Sequence, residues 1–272
     1  MFKTVIILIA AVLSFNVHAK NVFDTFKQYA GQANTSKEML SVYSAEQQKL
    51  TFDACRNQFL DGKPMDSRQF NSKMKPMALC SDNFAVVYSG ASKTPIVVVE
   101  KLNRMQLQDA KGEARTDQFY ADPRLPSDVR AELSDYKGHQ VDRGHMAPAA
   151  DAPTPRAMAQ SFALSNMIPQ DSENNRKVWS KVESSVRKYV NRAEGDVFVF
   201  TGPLYGQHVR KIGANGVWVP DSIFKLVYDI NTKRAWAYIL PNAPTEISKP
   251  VSYNEFVKIT GFNFLNGKTV VE

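Results

Sequence analysis

The hydrophobic residues after residue 83 come in short runs rich in β-branched and aromatic side chains, separated by turn residues. Phe84–Ser89 and Ile96–Glu100 are two such runs, with Gly90–Pro95 between them. Three further runs of this type are Asp196–Gly202, Ile223–Ile230 and Ala235–Leu240. Runs of this kind, bounded by turn residues, are typical of β-strands. The pattern therefore predicts five strands, with a hairpin turn at Asp229–Arg234.

The segment Asn174–Arg192 has the periodicity of a helix instead. Four valines recur at every fourth position, namely Val178, Val182, Val186 and Val190. A second set with the same spacing runs beside them, namely Asn175, Trp179, Glu183 and Arg187. Apolar residues at this spacing predict a helix with one buried face. A polar stripe next to a buried one is commonly only the edge of the exposed face, but this stripe carries an amide, a carboxylate and a guanidinium.

The remaining segments predict further helices and one domain. Asn21–Met77 is polar and mixed, and it predicts a mostly helical segment in which Ser44–Leu60 has the clearest helical spacing. A helix is also predicted after Pro126, and Tyr253–Thr260 predicts a short closing helix. Strands mixed with helices in this way favour a single α+β domain. We therefore divide the chain after residue 19 into an N-terminal extension, residues 20–78, and a domain, residues 79–272.

Composition excludes several other classes of protein. The chain has 272 residues, 43% of them hydrophobic, with ordinary counts of 13 Gly and 14 Pro. A disordered or collagen-like chain would have a different balance. The formal net charge of +7 gives a weak indication of a polyanionic partner such as nucleic acid. Residues 176–192 sharpen this indication, because they contain six Lys or Arg residues against one Glu.

The first 19 residues have the pattern of a secretory signal peptide. Lys3 provides a positive charge, Val5–Phe15 is apolar except for Ser14, and Val17 and Ala19 are small residues before the expected cleavage site. The alternative, a membrane anchor, would need about 20 apolar residues. We therefore expect an exported protein, periplasmic or secreted by a bacterial type of route, with no membrane segment in its mature form.

Export makes the two cysteines informative. Cys55 and Cys80 are the only cysteines in the chain, and disulfides form in oxidising compartments outside the cytosol. The sequence therefore predicts one disulfide, which would stabilise the fold by about 3 kcal/mol. Two free buried thiols are the alternative.

A short motif around His145 has the composition of a catalytic site. In Val141–Asp151, His145 follows an acid, a base and a glycine, and Arg143 offers a guanidinium suited to phosphate oxygens. Gly144 could allow a ligand to approach the backbone or allow a sharp turn. A single histidine is more often an ordinary surface or core residue. However, only three histidines follow the predicted signal peptide, so an imidazole base would be one of them.

Several ordered motifs together resemble the DNA/RNA non-specific endonucleases. They are DRGH at Asp142–His145, SNM at Ser165–Met167, the spacing N-x₃-W-x₃-E-x₃-R from Asn175 to Arg187, TGPL at Thr201–Leu204, VP at Val219–Pro220 and LPNAP at Leu240–Pro244. The resemblance covers about two thirds of the chain, Leu79–Leu265. It implies an α+β protein with the ββα-metal nuclease fold, in which a central antiparallel sheet is flanked by helices.

The resemblance also implies a role for each matching residue. His145 would be the general base, and Asn175 would be the direct protein ligand of one Mg²⁺ ion, which Mn²⁺ could replace. Glu183, eight residues and about 12 Å further along the helix, would bind the ion through water. The remaining residues are implied to bind phosphate or to organise the site, namely Arg143, Arg187, Arg115 and Asn166. Asp142 is implied to brace the turn.

These expectations together describe an exported Mg²⁺-dependent endonuclease that hydrolyses DNA and RNA without sequence preference. Contacts to phosphate rather than to base edges would explain activity on any sequence. Two alternatives are a nucleic-acid-binding protein that has lost catalysis and a phosphodiesterase for a smaller substrate. The first would lack one of His145, Asn175 and Glu183, and none is missing. By the same resemblance, a homodimer is a possible assembly.

Overall fold

The computed structural model describes residues 51–271, so the predicted signal peptide and residues 20–50 of the extension lie outside the described residues. The main sheet has seven strands, all paired antiparallel, in the order β1-β2-β3-β6-β9-β10-β11. These strands are β1 Pro76–Cys80, β2 Ala85–Ser89, β3 Thr94–Leu102, β6 Val197–Leu204, β9 Ser222–Asp229, β10 Ala235–Pro241 and β11 Val251–Ser252. All five predicted strands belong to this sheet, as does the predicted hairpin between β9 and β10.

Two small antiparallel sheets and four helices complete the described chain. One small sheet pairs β4, Val141–His145, with β5, Met167–Asp171, and the other pairs β7, Arg210–Ile212, with β8, Val217–Val219. The α-helices are α1 Arg104–Ala110, α2 Pro155–Ser161, α3 Ser180–Val190 and α4 Tyr253–Thr260. The predicted α+β class with a central antiparallel sheet is confirmed, and so is the closing helix.

The sheet is buried on both faces, and neighbouring residues of β3 show how. Val97 and Val99 point into one apolar cluster, whereas Val98 points into another. Successive side chains of a strand alternate between the two faces of a sheet. Because both faces are covered, the strands read as continuous apolar runs rather than as alternating ones.

The first face is covered by both ends of the described chain. Phe52, Phe59 and Phe70 pack there together with Phe256 of α4 and Phe264. The N-terminal part of this layer consists of short 3₁₀ turns, namely Asp53–Gln58, Leu60–Gly62, Ser67–Gln69 and Ser72–Met74. The helical prediction is therefore wrong for residues 51–75, where aromatic packing against the sheet sets a chain path that changes direction every few residues.

The predicted disulfide between Cys55 and Cys80 is present and ties this layer to the sheet. Cys55 lies in the first 3₁₀ turn and Cys80 ends strand β1, with their Cα atoms 5.5 Å apart. Strand β1 begins at Pro76, so the sheet includes residues on both sides of position 79.

The second face is covered by the predicted Val178–Val190 stripe. Val182, Val186 and Val190 of this stripe, and Trp179 of the neighbouring set, are each at most 4% exposed. Trp179 and Val182 pack in the cluster that contains Val98, whereas Val186 and Val190 pack with Val199 and Val227. Strands β4 and β5 lead directly into this helical segment. The arrangement of two strands followed by a helix is the ββα unit that the resemblance implies.

The helix predicted after Pro126 is not formed. Residues 127–130 make turns, and Leu133–Tyr136 is a single 3₁₀ turn. The carboxylate of Asp135 accepts hydrogen bonds from the backbone N–H groups of Glu132 and Asn215. This bond to a distant segment fixes the local path where sequence alone suggested a helix. Among residues 51–271, no helix is long and apolar enough to cross a membrane.

Replacing Cys55 and Cys80 with serine should lower the free energy of unfolding by about 3 kcal/mol, because the unfolded chain regains the freedom that the crosslink removes. Urea denaturation of the wild type and the double variant measures this difference. Reductant should destabilise the wild type to a similar extent and should leave the variant unaffected. Equal unfolding energies for the oxidised wild type and the variant would contradict a stabilising disulfide.

Candidate active site

A cavity of about 790 Å³ opens where β4, the start of the Val178–Val190 helix and the segment around Arg115 meet. Six of the residues singled out by sequence line it together, namely Arg115, Asp142, Arg143, His145, Asn175 and Glu183. Arginines and the histidine therefore share one cavity with an amide and two carboxylates. We call this cavity the central cleft.

His145 ends strand β4, opposite Met167 of β5. Its imidazole packs against the rings of Phe119 and Phe162, with centroids 5.7 Å and 5.0 Å away. The Nε2 atom is buried and has no hydrogen-bond partner among residues 51–271. Burial, together with the positive charges of Arg115 and Arg143, lowers the pKa of His145 to about 3. The imidazole is therefore neutral at ordinary pH and able to accept a proton.

The same two phenylalanines support the two arginines of the cleft. The guanidinium of Arg143 lies 4.1 Å from the centroid of the Phe119 ring, and that of Arg115 lies 5.0 Å from the centroid of the Phe162 ring. A guanidinium above an aromatic face is attracted by the ring's negative face. Phe119 and Phe162 thus hold the histidine and both cations in one group. No sequence pattern indicated these two phenylalanines, although Phe119 lies close to Arg115 and Phe162 close to Ser165–Met167.

Asn175 is oriented by Asp142. The Asp142 carboxylate accepts a hydrogen bond of 2.8 Å from the Asn175 amide nitrogen, and further bonds from Ser172 and Arg176. These bonds outweigh the effect of burial and hold the pKa of Asp142 below its usual range. Because the amide nitrogen is occupied, the amide oxygen remains available to a ligand in the cleft. Asp142 therefore positions the Asn175 amide in addition to bracing β4 against the helix.

The helix that carries Asn175 and Glu183 begins with a π turn, Asn174–Trp179, and becomes α-helical at Ser180. In a regular α-helix, residues eight apart differ by about 80° in direction. A π turn takes more residues per revolution and is often found at functional sites. It therefore brings the two side chains closer to the same side, and both line the central cleft. The valine spacing predicted the helix but not this turn.

Glu183 lies in an electrostatic environment that raises its pKa. Burial raises the pKa of Glu183 to about 7, although Lys225 and Arg187 act in the opposite direction.

Lys225 is a charged residue on the central strand β9 and is only 1% exposed. Its Nζ atom donates to Thr201 Oγ1 at 2.7 Å and to the carbonyl oxygen of Met146 at 3.4 Å. This contact links the sheet to the residue that follows His145.

A second buried carboxylate lies near the same group of charges. Glu100 of β3 is 1% exposed, and neither of its oxygens has a hydrogen-bond partner in the described part of the chain. Burial and the nearby Asp151 raise its pKa well above the usual value, although Lys225 acts against this. Lys225 and Glu100 were not among the predicted site residues. The signal was a charged residue inside or at the end of an apolar strand.

Two of the implied site residues lie outside the central cleft. Arg187 pairs with the buried Asp151, at 3.1 Å, and lines a neighbouring cavity. Asn166 is fully buried, accepts a hydrogen bond from the backbone N–H of Ala147 and donates one to the carbonyl oxygen of the same residue. Asn166 thus fixes the chain two residues after His145 and does not line the cleft.

Two other motif residues have packing roles. A Cβ atom at Gly144 would lie 2.6 Å from the Cβ of Gln170 on the facing strand, so this glycine allows the close pairing of β4 and β5 and not the approach of a ligand. Asn242 accepts a hydrogen bond from the backbone of Asp171 and donates to the carbonyl oxygens of Pro169 and Pro220. It fastens β5 beside the end of β10.

The donors in the cleft fit a hard divalent cation. Asn175 offers an amide oxygen, and Glu183 makes no hydrogen bond or ion pair with residues 51–271. Oxygen donors of these two kinds are the ligands that Mg²⁺ and Ca²⁺ prefer. Groups of three His, Cys, Asp or Glu side chains that could enclose a metal are absent from the described residues. Asn175 and Glu183 are therefore the residues that would hold the ion.

Comparison with known proteins agrees with this geometry. A model of the DNA/RNA non-specific endonuclease family matches residues 61–270. Nuclease C1 of Cunninghamella echinulata var. echinulata is 35% identical over 203 residues, which are 69% of this chain and 80% of that protein. The mitochondrial nuclease EXOG of Homo sapiens is 31% identical over 209 residues, 69% of this chain and 56% of that protein. The chain belongs to the DNA/RNA non-specific endonuclease family.

A solved structure shows the same fold. A chain in the crystal structure of the EndoG/EndoGI complex, which concerns the mechanism of EndoG inhibition, superposes with a TM-score of 0.60 at 26% identity, over 69% of this chain and 85% of that one. The ββα-metal nuclease fold is thereby confirmed, and the family points to a divalent metal ion. The chain spans about half the length of the EXOG nucleases that it matches, 56% of the human protein and 49% of the one from Xenopus laevis.

Asp142→Asn should weaken metal binding by about tenfold, because groups that orient a metal ligand typically contribute that much to affinity. Calorimetric titration of the purified protein with Mn²⁺ measures this directly. Asp221→Asn is a matched control, since Asp221 also accepts a hydrogen bond, in its case from the backbone N–H of Gly206, but does not line the cleft. Equal Mn²⁺ affinities for Asp142→Asn and the control would contradict the positioning role.

Mn²⁺ affinity should also fall as the pH is lowered through about 7. The pKa of Glu183 is raised to about 7 in the metal-free protein, so below that pH the side chain is protonated and neutral. A cation binds the ionised form and must displace the proton. Titrations at pH 6 and pH 8 measure the difference. In Glu183→Gln the affinity should be lower and the difference between the two pH values should largely vanish; if the difference persists, Glu183 is not its source.

Proposed function

We propose that the protein is an exported, Mg²⁺-dependent endonuclease that hydrolyses the phosphodiester bonds of DNA and RNA without sequence preference. The central cleft is the observation that carries this proposal. It combines a neutral histidine, two arginines and an amide–carboxylate pair in one cavity of about 790 Å³. Family membership supports the same reaction class. Specific base readout is not required, because the named groups suit phosphate rather than base edges.

His145 is proposed to take a proton from the attacking water. With its pKa lowered to about 3, the free imidazole is already in the form that accepts a proton. The imidazolium that forms would be stabilised by the negative charge of the phosphate that enters the cleft. Phe119 and Phe162 restrict the ring from two sides. They thereby hold the accepting nitrogen in a fixed direction, which favours proton transfer.

Arg143 and Arg115 are proposed to bind the phosphate and to stabilise the charge that develops on it. Their guanidinium groups are held on aromatic faces, so little reorganisation is needed when the substrate enters. Asn175 is proposed to bind the Mg²⁺ ion directly, and Glu183 to bind it through water. When bound, such an ion acts as a Lewis acid on phosphate oxygens. Asp142 and Asn166 act through other residues, by orienting the Asn175 amide and the chain after His145.

Export is proposed from two features of the chain. Met1–Ala19 has the charge and apolar pattern of a signal peptide. The disulfide between Cys55 and Cys80 suits an oxidising compartment. Several relatives carry names that place them in mitochondria, including EXOG and the human endonuclease G. Fractionation of cells that produce the full-length chain tests the proposal, and retention of an uncleaved protein in the cytosol would contradict it.

The purified protein should digest both closed circular plasmid and RNA when Mg²⁺ is present, and EDTA should stop both reactions. Gel electrophoresis of timed digests measures cleavage, and linear products from the circle establish endonuclease action. If neither polymer is cut with Mg²⁺ or Mn²⁺ but both are bound, the chain is a binding protein. If only small phosphodiesters are hydrolysed, the substrate is smaller than proposed.

His145→Ala should reduce the cleavage rate by about 10² to 10⁴-fold, the usual contribution of a general base. His208→Ala is the matched control, because His208 is exposed and does not line the central cleft. Circular dichroism of both variants should equal that of the wild type. A His145→Ala protein that retains most of the activity would remove His145 from the role of base.

A further inference from the structure

A second cavity of about 410 Å³ adjoins the central cleft, and none of the proposed chemistry uses it. Arg115, Ala149 and Ala150 line both cavities, so the two are separated only by a shared wall. The second cavity lies between helix α1 and the C-terminal half of helix α3. We call it the side cavity.

The side cavity has a basic rim. Four cations line it, namely Lys111, Arg115, Arg187 and Lys188, against the single carboxylate of Glu113. Lys111 and Lys188 are exposed, and neither makes an ion pair within residues 51–271. Arg187 is partly neutralised by Asp151. Two lysines are therefore available to an anion from outside.

The floor of the side cavity is apolar. Leu107, Ala110 and Met158 line it and are at most 6% exposed. A cationic rim above an apolar floor matches one nucleotide, because the phosphate is charged while the sugar and base expose largely uncharged surface. Ligand sites of this kind usually combine apolar walls with a few placed polar groups.

The position of the side cavity along the helix fits the next nucleotide of a bound strand. Glu183 faces the central cleft, and Arg187, four residues further on, faces the side cavity. Four residues of α-helix correspond to about 6 Å. A strand whose phosphate is bound in the cleft would therefore reach the rim of the side cavity within a short length of its backbone.

We propose that the side cavity is a subsite for a nucleotide next to the cleaved bond, with Lys111 and Lys188 binding its phosphate and Leu107, Ala110 and Met158 contacting its sugar and base. This subsite rests on the proposed nuclease function and deepens it. It assigns the protein a preference for substrates that extend beyond the cleaved phosphodiester in the direction of helix α1.

The double variant Lys111→Gln/Lys188→Gln tests the subsite. The matched control is Lys73→Gln/Lys249→Gln, which removes two charges from exposed lysines that line neither cavity. With a single-stranded hexanucleotide as substrate, the test variant should raise KM by about tenfold with a much smaller change in kcat. An equal rise in KM for the control would show a general charge effect and would overturn the proposal. A fall in kcat at unchanged KM would overturn it as well, by placing the lysines in the chemical step.

Binding provides a readout that does not depend on cleavage. In the His145→Ala background with EDTA, affinity for the hexanucleotide is measured as a function of salt concentration. Loss of one phosphate contact from a single strand should reduce the slope of log affinity against log salt by about 0.7. The control variant should keep the original slope. If the wild type cuts no polymer, the proposed nuclease function fails, but the salt slopes still show whether the side cavity binds a phosphate. Equal slopes in the test and control variants would refute the subsite.

Discussion

The carboxylate of Asp142 is the interaction on which the geometry of the cleft depends. It accepts four hydrogen bonds, from Ser172, from the Asn175 amide and two from Arg176. Strand β4, which carries Asp142, is thereby joined to the first turn of the helix that follows β5. A carboxylate so fully bonded is also held ionised. This one short side chain thus fixes the first turn of the amide helix against the histidine strand, in addition to the pairing of β4 with β5.

The sheet behind the cleft contributes charge as well as support. Lys225 is buried on β9, bonded to Thr201, and its Nζ atom lies 5.7 Å from the centroid of the Trp179 ring. An isolated ammonium group in the interior would be strongly unfavourable, and the hydrogen bonds from Lys225 to Thr201 Oγ1 and to the carbonyl oxygen of Met146 offset part of this cost. Packing and electrostatics of the cleft therefore cannot be varied independently, since the same strand supplies both.

Periodicity predicted the five strands, the long helix and the closing helix, because each has an apolar pattern set by its own burial. The motifs of the chain, by resemblance, predicted which residues meet in the cleft. Long-range contacts decided the rest. Asn174 and Asn175 of the π turn are bonded to Pro241 and Asp142. The 3₁₀ turn at Leu133–Tyr136 is bonded to Asn215, and Arg187 is paired with Asp151. None of these partners is near in sequence.

The two faces of the main sheet have separate tasks. The disulfide, the aromatic layer and both described chain ends lie on one face, whereas the helix and the cleft lie on the other. The sheet thus separates the layer that stabilises the fold from the layer that forms the cleft. Substitutions within residues 51–75 can therefore alter the stability of the protein with little effect on the cleft. The stability of the fold and the chemistry of the cleft can therefore change separately in the course of evolution.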